Sequence, residues 1–443
     1  MTRKFRIHPA VGVARVGNSP TEFFLGPELP GGNGTALDAA GHDAGDVTDY
    51  KDANGGIKRQ GARFSVWEYD IDATGKETPL HEVSPLHAEV IWTVQLANTK
   101  AAGRQIFVGG AQARNPGVAQ AELSIAPVHP SVSGVNQVAV ATSPGRFRGQ
   151  VVDLGELRTD AQGRLVVLGG RGRSFSPSSQ KIQDFANNVD WCDDVSDGPV
   201  DAVLRFGDGT TAAVDGGAWV VVAPPDYAPT VLGLTTLYDV MLDAAGQRGW
   251  ATPPKNPSYR KEILPILERA ARLRFVNNFP QWNGFSRDYG LLGTAGTPEA
   301  DAARLNAHAL VLDVEESTIL SNFNYTARQR AVLALWKDGT FAQDFNTPTA
   351  PAVRSPAGLD QAALDSTVGG GFLPGIEVGI ISTNPNLYSE PFRLTRDLFV
   401  DTDPSVEAGG PTKLRAGSLT ERMACPWQAD FFDCAENWWP VPR

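Results

Sequence analysis

Cysteine is scarce in this chain, with three in 443 residues, so a framework of structural disulfides is excluded. Such usage suits a reduced compartment, or a protein whose cysteines do chemistry. The six histidines, His8, His42, His81, His87, His129 and His308, form no HxxxH pair and no close pair with cysteine, which argues against a zinc site of local spacing. No continuous apolar run reaches the roughly 18 residues that a membrane span needs. The N-terminus has a basic start but neither an apolar core nor a small-residue cleavage site, so no signal peptide is expected, and the protein is read as cytoplasmic or secreted without a recognisable signal. Basic stripes are missing as well. With a net charge of -11, nucleic acid is excluded as a partner, because binding it needs clustered Lys and Arg. Walker loops, GxSxG elbows and internal repeats are all absent.

What is present is ordinary globular composition, 42% hydrophobic and 20% charged, with 46 glycines and 32 prolines that imply many turns. The fold class expected is α+β, a β-rich N-terminal half followed by a helix-rich C-terminal half. The domains expected are 1–225 and 226–443. Strands are predicted at 62–72, 87–98, 163–170 and in the apolar run at 217–229. Helices are predicted from Pro229 to Gly246, from Tyr259 to Phe275, from Thr297-Pro298 onward, and from Thr326 to Gly339. Ser418 and Glu421 have capping-box spacing, and TPTAPAVRSPAG (347–358) is the linker candidate.

Two regions carry candidate chemistry. NNVDWCDDVSDGPVDA (187–202) sets Asp190, Asp193, Asp194 and Asp197 near Cys192. Oxygen-rich loops bind hard cations, but the spacing is not that of an EF-hand, and aspartates satisfying nearby backbone donors is the preferred reading. The second region is the end of the chain, CPWQADFFDCAENWWPVPR (425–443), which holds two of the three cysteines and three of the ten tryptophans. A helix opening at Pro426 places Asp430, Cys434 and Trp438 at i, i+4 and i+8, stacking a carboxylate, a thiol and an indole on one face. Buried core packing of cysteine and aromatics is the plainer alternative. In GGGFLPGIEVG (369–379), either the glycines let backbone approach a ligand with Glu377 pointing in, or the stretch is a tight turn into a buried strand.

Six stretches in order, IHPAVGVARVGNSP (7–20), GGIKRQGARFSVWEYD (55–70), WCDDVSDGPVDA (191–202), AWVVVAPPDYAP (218–229), FLPGIEVGI (372–380) and LTERMACPWQADFFDC (419–434), resemble the lysine ε-oxidase/glycine oxidase family. The resemblance implies a cysteine tryptophylquinone cofactor, a cysteine sulfur bonded to an oxidised tryptophan. It implies that Cys434 supplies the sulfur and that Asp430, four positions earlier, serves quinone formation and proton transfer. It also implies oxidative deamination of an amino-acid substrate by O2, giving ammonia and hydrogen peroxide, with maturation by a partner flavoprotein and a homo-oligomeric assembly. Arg422 is a candidate for holding a substrate carboxylate bidentately.

The family's cross-linked tryptophan lies some tens of residues past the cysteine, whereas only nine residues follow Cys434 here. Three readings stay open. Trp438 or Trp439 is the partner; or the sequence is part of a longer chain; or this is a cofactor-less member acting as a scaffold or binding protein. Cys425 competes for cross-linking or for a disulfide with Cys434. An unbroken helix would hold that pair too far apart, at about 1.5 Å per residue against a limit of about 7 Å between Cα atoms.

Overall fold

The computed structural model describes residues 2–38, 41–106, 112–226, 228–276, 284–316, 325–348, 350–369, 378, 380–401 and 411–431. A large β-sheet occupies the N-terminal half and helices dominate the rest. The principal sheet has fourteen strands. Its long organiser is Arg59–Ile71, which pairs antiparallel with Thr2–His8, Leu165–Leu168 and Glu77–Glu82. Ala218–Ala223 lies between Ser196–Arg205, antiparallel, and Val11–Arg15, parallel in the register Trp219↔Val11. Glu89–Val94 covers the other side of Ser196–Arg205.

Ala218–Ala223 is buried along its whole length because the sheet is covered on both faces. Val220 and Val222 join a core with Phe64, Trp92, Cys192, Cys425 and Trp427. Trp219 and Val221 point the other way, into a core with Leu237, Met241 and Leu364 from the helices. Side-chain alternation along one strand thus ties the two halves together.

The predicted helices are found with specific corrections. The first begins at Leu237, not near Pro229, because Thr236 and Asp239 form a capping box there. The second spans Tyr259–Phe275 as a π-turn, an α-helix and a 3-10 turn. Pro265 lacks the N–H that would close an α-turn there, so the wider π-turn precedes it. Ile263, Ile266, Leu267, Ala270 and Ala271 are all buried, as the periodicity requires. Pro298–Glu316 and Ala327–Lys337 start where predicted, the latter under a Thr326/Gln329 capping box. The linker candidate is corrected in its second part, where Ser355 caps a helix over Pro356–Asp365. Ser418 does not cap, since its hydroxyl accepts from the Arg415 N–H and the turn at Thr420–Arg422 has no side-chain cap. No helix among the described residues is long and apolar enough to cross a membrane.

Candidate functional site

The C-terminal segment is sewn onto the sheet by buried charges. Thr420 donates its N–H and its hydroxyl to Asp197 Oδ2, each at 2.7 Å, while Trp219 Nε1 donates to Oδ1 at 2.9 Å. Asp193 is the next anchor. Its Oδ2 accepts from Lys100 Nζ at 2.5 Å and from the Trp427 N–H at 2.8 Å, and its Oδ1 accepts from Asn98 Nδ2 at 2.8 Å. Lys100 and Asp193 are both fully buried, so their pairing survives only because these further bonds offset desolvation.

Arg114, also fully buried, donates to the carbonyls of Lys100 and, at 3.2 Å, of Met423. Cys425 runs parallel to Asn187; its N–H donates to the Ala186 carbonyl at 2.9 Å, and its carbonyl accepts from Asn188 Nδ2 at 3.1 Å. A buried backbone needs such partners. Together they fix the path by which the chain passes Pro426 into the 3-10 turn Trp427–Phe431.

Electrostatics follow burial. Burial pushes Asp197 up to about 6 despite its bonds from Thr420 and Trp219. Burial pushes Asp194 up to about 7, opposed by the Arg173 N–H, which donates to Oδ2 at 2.9 Å. The Cys425 thiol rises to about 11, again through burial, and its Sγ donates to the Trp191 carbonyl at 3.2 Å. Cys192 is raised for the same reason. Both thiols are free and buried, and neither has the depressed pKa of a reactive cysteine. Among the described residues Cys425 packs in the sheet core and hydrogen-bonds to Trp191.

Of the aspartates weighed as metal ligands, Asp193 and Asp197 have protein donors on both oxygens, while Asp194 accepts on Oδ2 and its buried Oδ1 has no partner among the described residues. Asp193 and Asp197 are saturated by side-chain and backbone donors reached across the fold, not by the neighbouring backbone donors expected from the loop. No group of three His, Cys, Asp or Glu placed to hold a metal occurs among the described residues. Arg422 has its guanidinium on Asp401, with Nη1 at 3.3 Å from Oδ1 and Nη2 on Oδ2. Asp430 lies in the Trp427–Phe431 turn, which is 3-10 rather than the α-helix expected from Pro426. Glu377, Cys434, Trp438 and Trp439 lie outside the described residues.

Lys100, Asn98, Arg114 and Asn188 were missed by sequence reasoning. Their partners stand far away in the chain, 93 positions for Lys100–Asp193 and 309 for Arg114–Met423. The one local hint was a lysine set in the small-residue stretch ANTKAAG.

Asp194 gives a pH prediction. Its carboxyl holds a proton in the fold that the unfolded chain, with a pKa of about 3.9, has already lost. Between those values stability falls as pH rises, by about 2 kcal/mol from roughly pH 5 to pH 8. Asp194→Asn removes this dependence. The melting temperature of the variant relative to the parent is expected to rise over that range, and a pH-independent difference would show that Asp194 is ionised throughout.

A second feature is an open cleft of about 1190 Å³. It runs between the Phe24–Gly34 stretch and the helices at Leu237–Gln247, Leu264–Arg272 and Ala327–Lys337. No described residue of the Leu419–Phe431 segment lines it.

The fold is similar to solved structures of ε-lysine oxidase. A structure of the ε-lysine oxidase from Marinomonas mediterranea superposes with a TM-score of 0.74 at 25% identity, covering 97% of this chain and 75% of that one. The Schiff base intermediate of the L-Lys ε-oxidase from the same organism, with L-Lys, gives 0.73 at 26% identity and the same coverage.

The chain belongs to the L-lysine ε-oxidase family. Residues 8–222 match the family model described as L-lysine epsilon oxidase N-terminal, and residues 309–443 match that of the L-lysine epsilon oxidase C-terminal domain. The L-lysine 6-oxidase of Marinomonas mediterranea is 27% identical over 528 aligned positions, spanning 97% of this chain and 70% of that protein.

Proposed function

We propose that this protein is an amino-acid oxidase that deaminates a primary amine with O2, releasing ammonia and hydrogen peroxide, and that its cofactor is a cysteine tryptophylquinone built on Cys434. The observation that carries the reading is the fixed start of the PWQADFFDC segment, with the Trp427 N–H held by the buried Asp193–Lys100 pair. Two buried polar atoms beside that segment, Trp191 Nε1 and Gln428 Oε1, have no protein partner among the described residues. Such atoms fit a site completed by a polar group. The quinone supplies an electrophilic carbonyl for the substrate amine and a store for two electrons.

The rest falls to the chain. Asp430 is the general base that takes the substrate proton. Trp438 and Trp439 are the proposed cross-link partners within this sequence. Glu377 is proposed to border the substrate. Arg422, engaged by Asp401, holds a substrate carboxylate only by sharing or leaving that pair. The substrate is the side-chain amine of lysine or the α-amine of glycine. A flavoprotein partner for maturation, a homo-oligomeric state, and division into units at 1–225 and 226–443 complete the proposal.

Peroxide release with a panel of amino acids, measured on protein co-produced with a flavoprotein, tests it. Oxygen consumption matched by peroxide and ammonia is the expected result. Silence across the panel favours the second reading, a cofactor-less scaffold or binding protein of the same fold.

A further inference from the structure

One end of the fourteen-stranded sheet is uncovered among the described residues. The strand there, Val138–Ala139, pairs antiparallel with Glu156–Thr159 on one side, and no described strand lies on the other. The Thr159 N–H donates to the Gln137 carbonyl at 3.0 Å, which makes Gln137 and Thr159 a hydrogen-bonded pair. Such pairs alternate with non-bonded ones. Val138, opposite Arg158, therefore turns its own N–H and C=O away from the sheet, and Val140 has the same parity.

An open edge is a template for another strand, and folds that stay single blunt it with charge, proline or a bulge. Two other edges of this sheet are blunted in that way. Asp43–Asp46 has a carboxylate at each end, and Glu77–Glu82 has Pro79 between two glutamates. The Val138 edge has no such guard. From Leu123 to Gly145 the sequence contains no Asp, Glu, Lys or Arg, although 20% of the chain is charged, and no proline lies between Pro130 and Pro144.

The side chains along this edge are apolar and exposed. Val138 is 56% exposed and Val140 62%. Val128, exposed as well, is held close by, since its N–H donates to the Ser143 carbonyl at 2.9 Å and its carbonyl accepts from the Thr142 N–H at 2.8 Å. Single surface valines need no explanation, but a group of them on an unpaired, charge-free edge marks a contact surface.

Charge indicates the partner. The net charge is -11, so copies of the chain repel one another over most of their surface. At this edge two copies meet without opposing like charges. The edge is also complementary to itself, because a two-fold axis brings the outward groups of Val138 in one copy onto those of Val140 in the other.

We propose that this edge is a two-fold interface at which a second copy of the chain continues the sheet, with Val138 of each copy paired to Val140 of the other and Ala139 on the axis. A homo-oligomer is already part of the function proposed above. What is added is its surface, which rests on sheet geometry and not on the oxidase reading.

The test is the mass of the full chain in solution, by size-exclusion chromatography with light scattering, for the parent and for Val138→Lys/Val140→Lys. The parent is expected at an even multiple of the chain mass and the variant at half the parent's value. Its melting temperature is expected to stay unchanged, because both side chains are exposed. Ala139→Cys is the second measurement. Across the axis the two Cα atoms come to about 4.5 Å, within the range that a disulfide spans. Air oxidation is expected to give a dimer band on a non-reducing denaturing gel. A reductant removes that band, and the parent and Ala139→Cys/Val138→Lys/Val140→Lys lack it. A parent at the single-chain mass overturns the surface and the homo-oligomer together. An oligomeric parent whose mass the two lysines leave unchanged, or whose Ala139→Cys form does not cross-link, overturns the surface alone. Should the lysine variant melt early, the cross-link decides. Oxidase activity is not the readout, so failure here leaves the oxidase reading standing.

Discussion

Replacing Asp193 with Ala is expected to destabilise the fold by about 3–5 kcal/mol, the loss seen when one partner of a buried ion pair is removed. The change strands Lys100, fully buried, without the anionic partner it has at 2.5 Å among the described residues. It also frees the Trp427 N–H and leaves the Asn98 amide only the backbone carbonyl of residue 193. Most of the loss is the uncompensated ammonium, not the missing attraction. The double variant Lys100→Met/Asp193→Leu, which removes both charges and keeps the branching of each side chain, is therefore expected to recover more than half of the stability. Urea unfolding of the parent, the single variant and the double variant checks this. A single variant within about 1 kcal/mol of the parent would mean that the pair does not hold the segment, since surface pairs are worth about that much.

The second large effect concerns chemistry. Cys434→Ser is expected to abolish turnover, because serine cannot form the thioether on which the proposed cofactor depends. Asp430→Asn is expected to keep the fold and to lower turnover by about 10²–10⁴, the usual contribution of a general base. The two variants separate the roles. The first loses the visible chromophore as well as activity. The second loses both only if Asp430 also serves formation of the quinone, and otherwise keeps colour while losing rate. Full activity in Cys434→Ser would refute the assignment of the cysteine.

Legibility divided along the range of the interactions. Helices with strong local punctuation were readable: the helix opening at Thr326, and the run from Tyr259 to Phe275, appear at their predicted positions. The strand in AWVVVA was readable from its apolar run. The start of the first helix was not, because Pro229 is a permissive signal and the Thr236–Asp239 box seven residues later prevails. The helix at Pro356 hid in a stretch whose proline and alanine content reads as linker, although Ser355 followed by proline is an N-cap signature.

At the candidate site, sequence drew attention to both the acidic stretch and the C-terminal segment but not to their relation. Asp193 holds the backbone of Trp427 across 234 positions, and Asp197 holds Thr420 across 223. Such contacts have no local period or spacing to betray them. A cluster of aspartates reads as a cation loop until the lysine, indole and backbone donors that meet it are placed in space.

The measurement that bears most directly on the central claim is the intact mass of the protein, produced with and without a partner flavoprotein, followed by peptide mapping. The account predicts that co-production adds two oxygens and removes four hydrogens, and that the change maps to a peptide in which Cys434 is joined to a tryptophan. An unmodified mass in both preparations would contradict it.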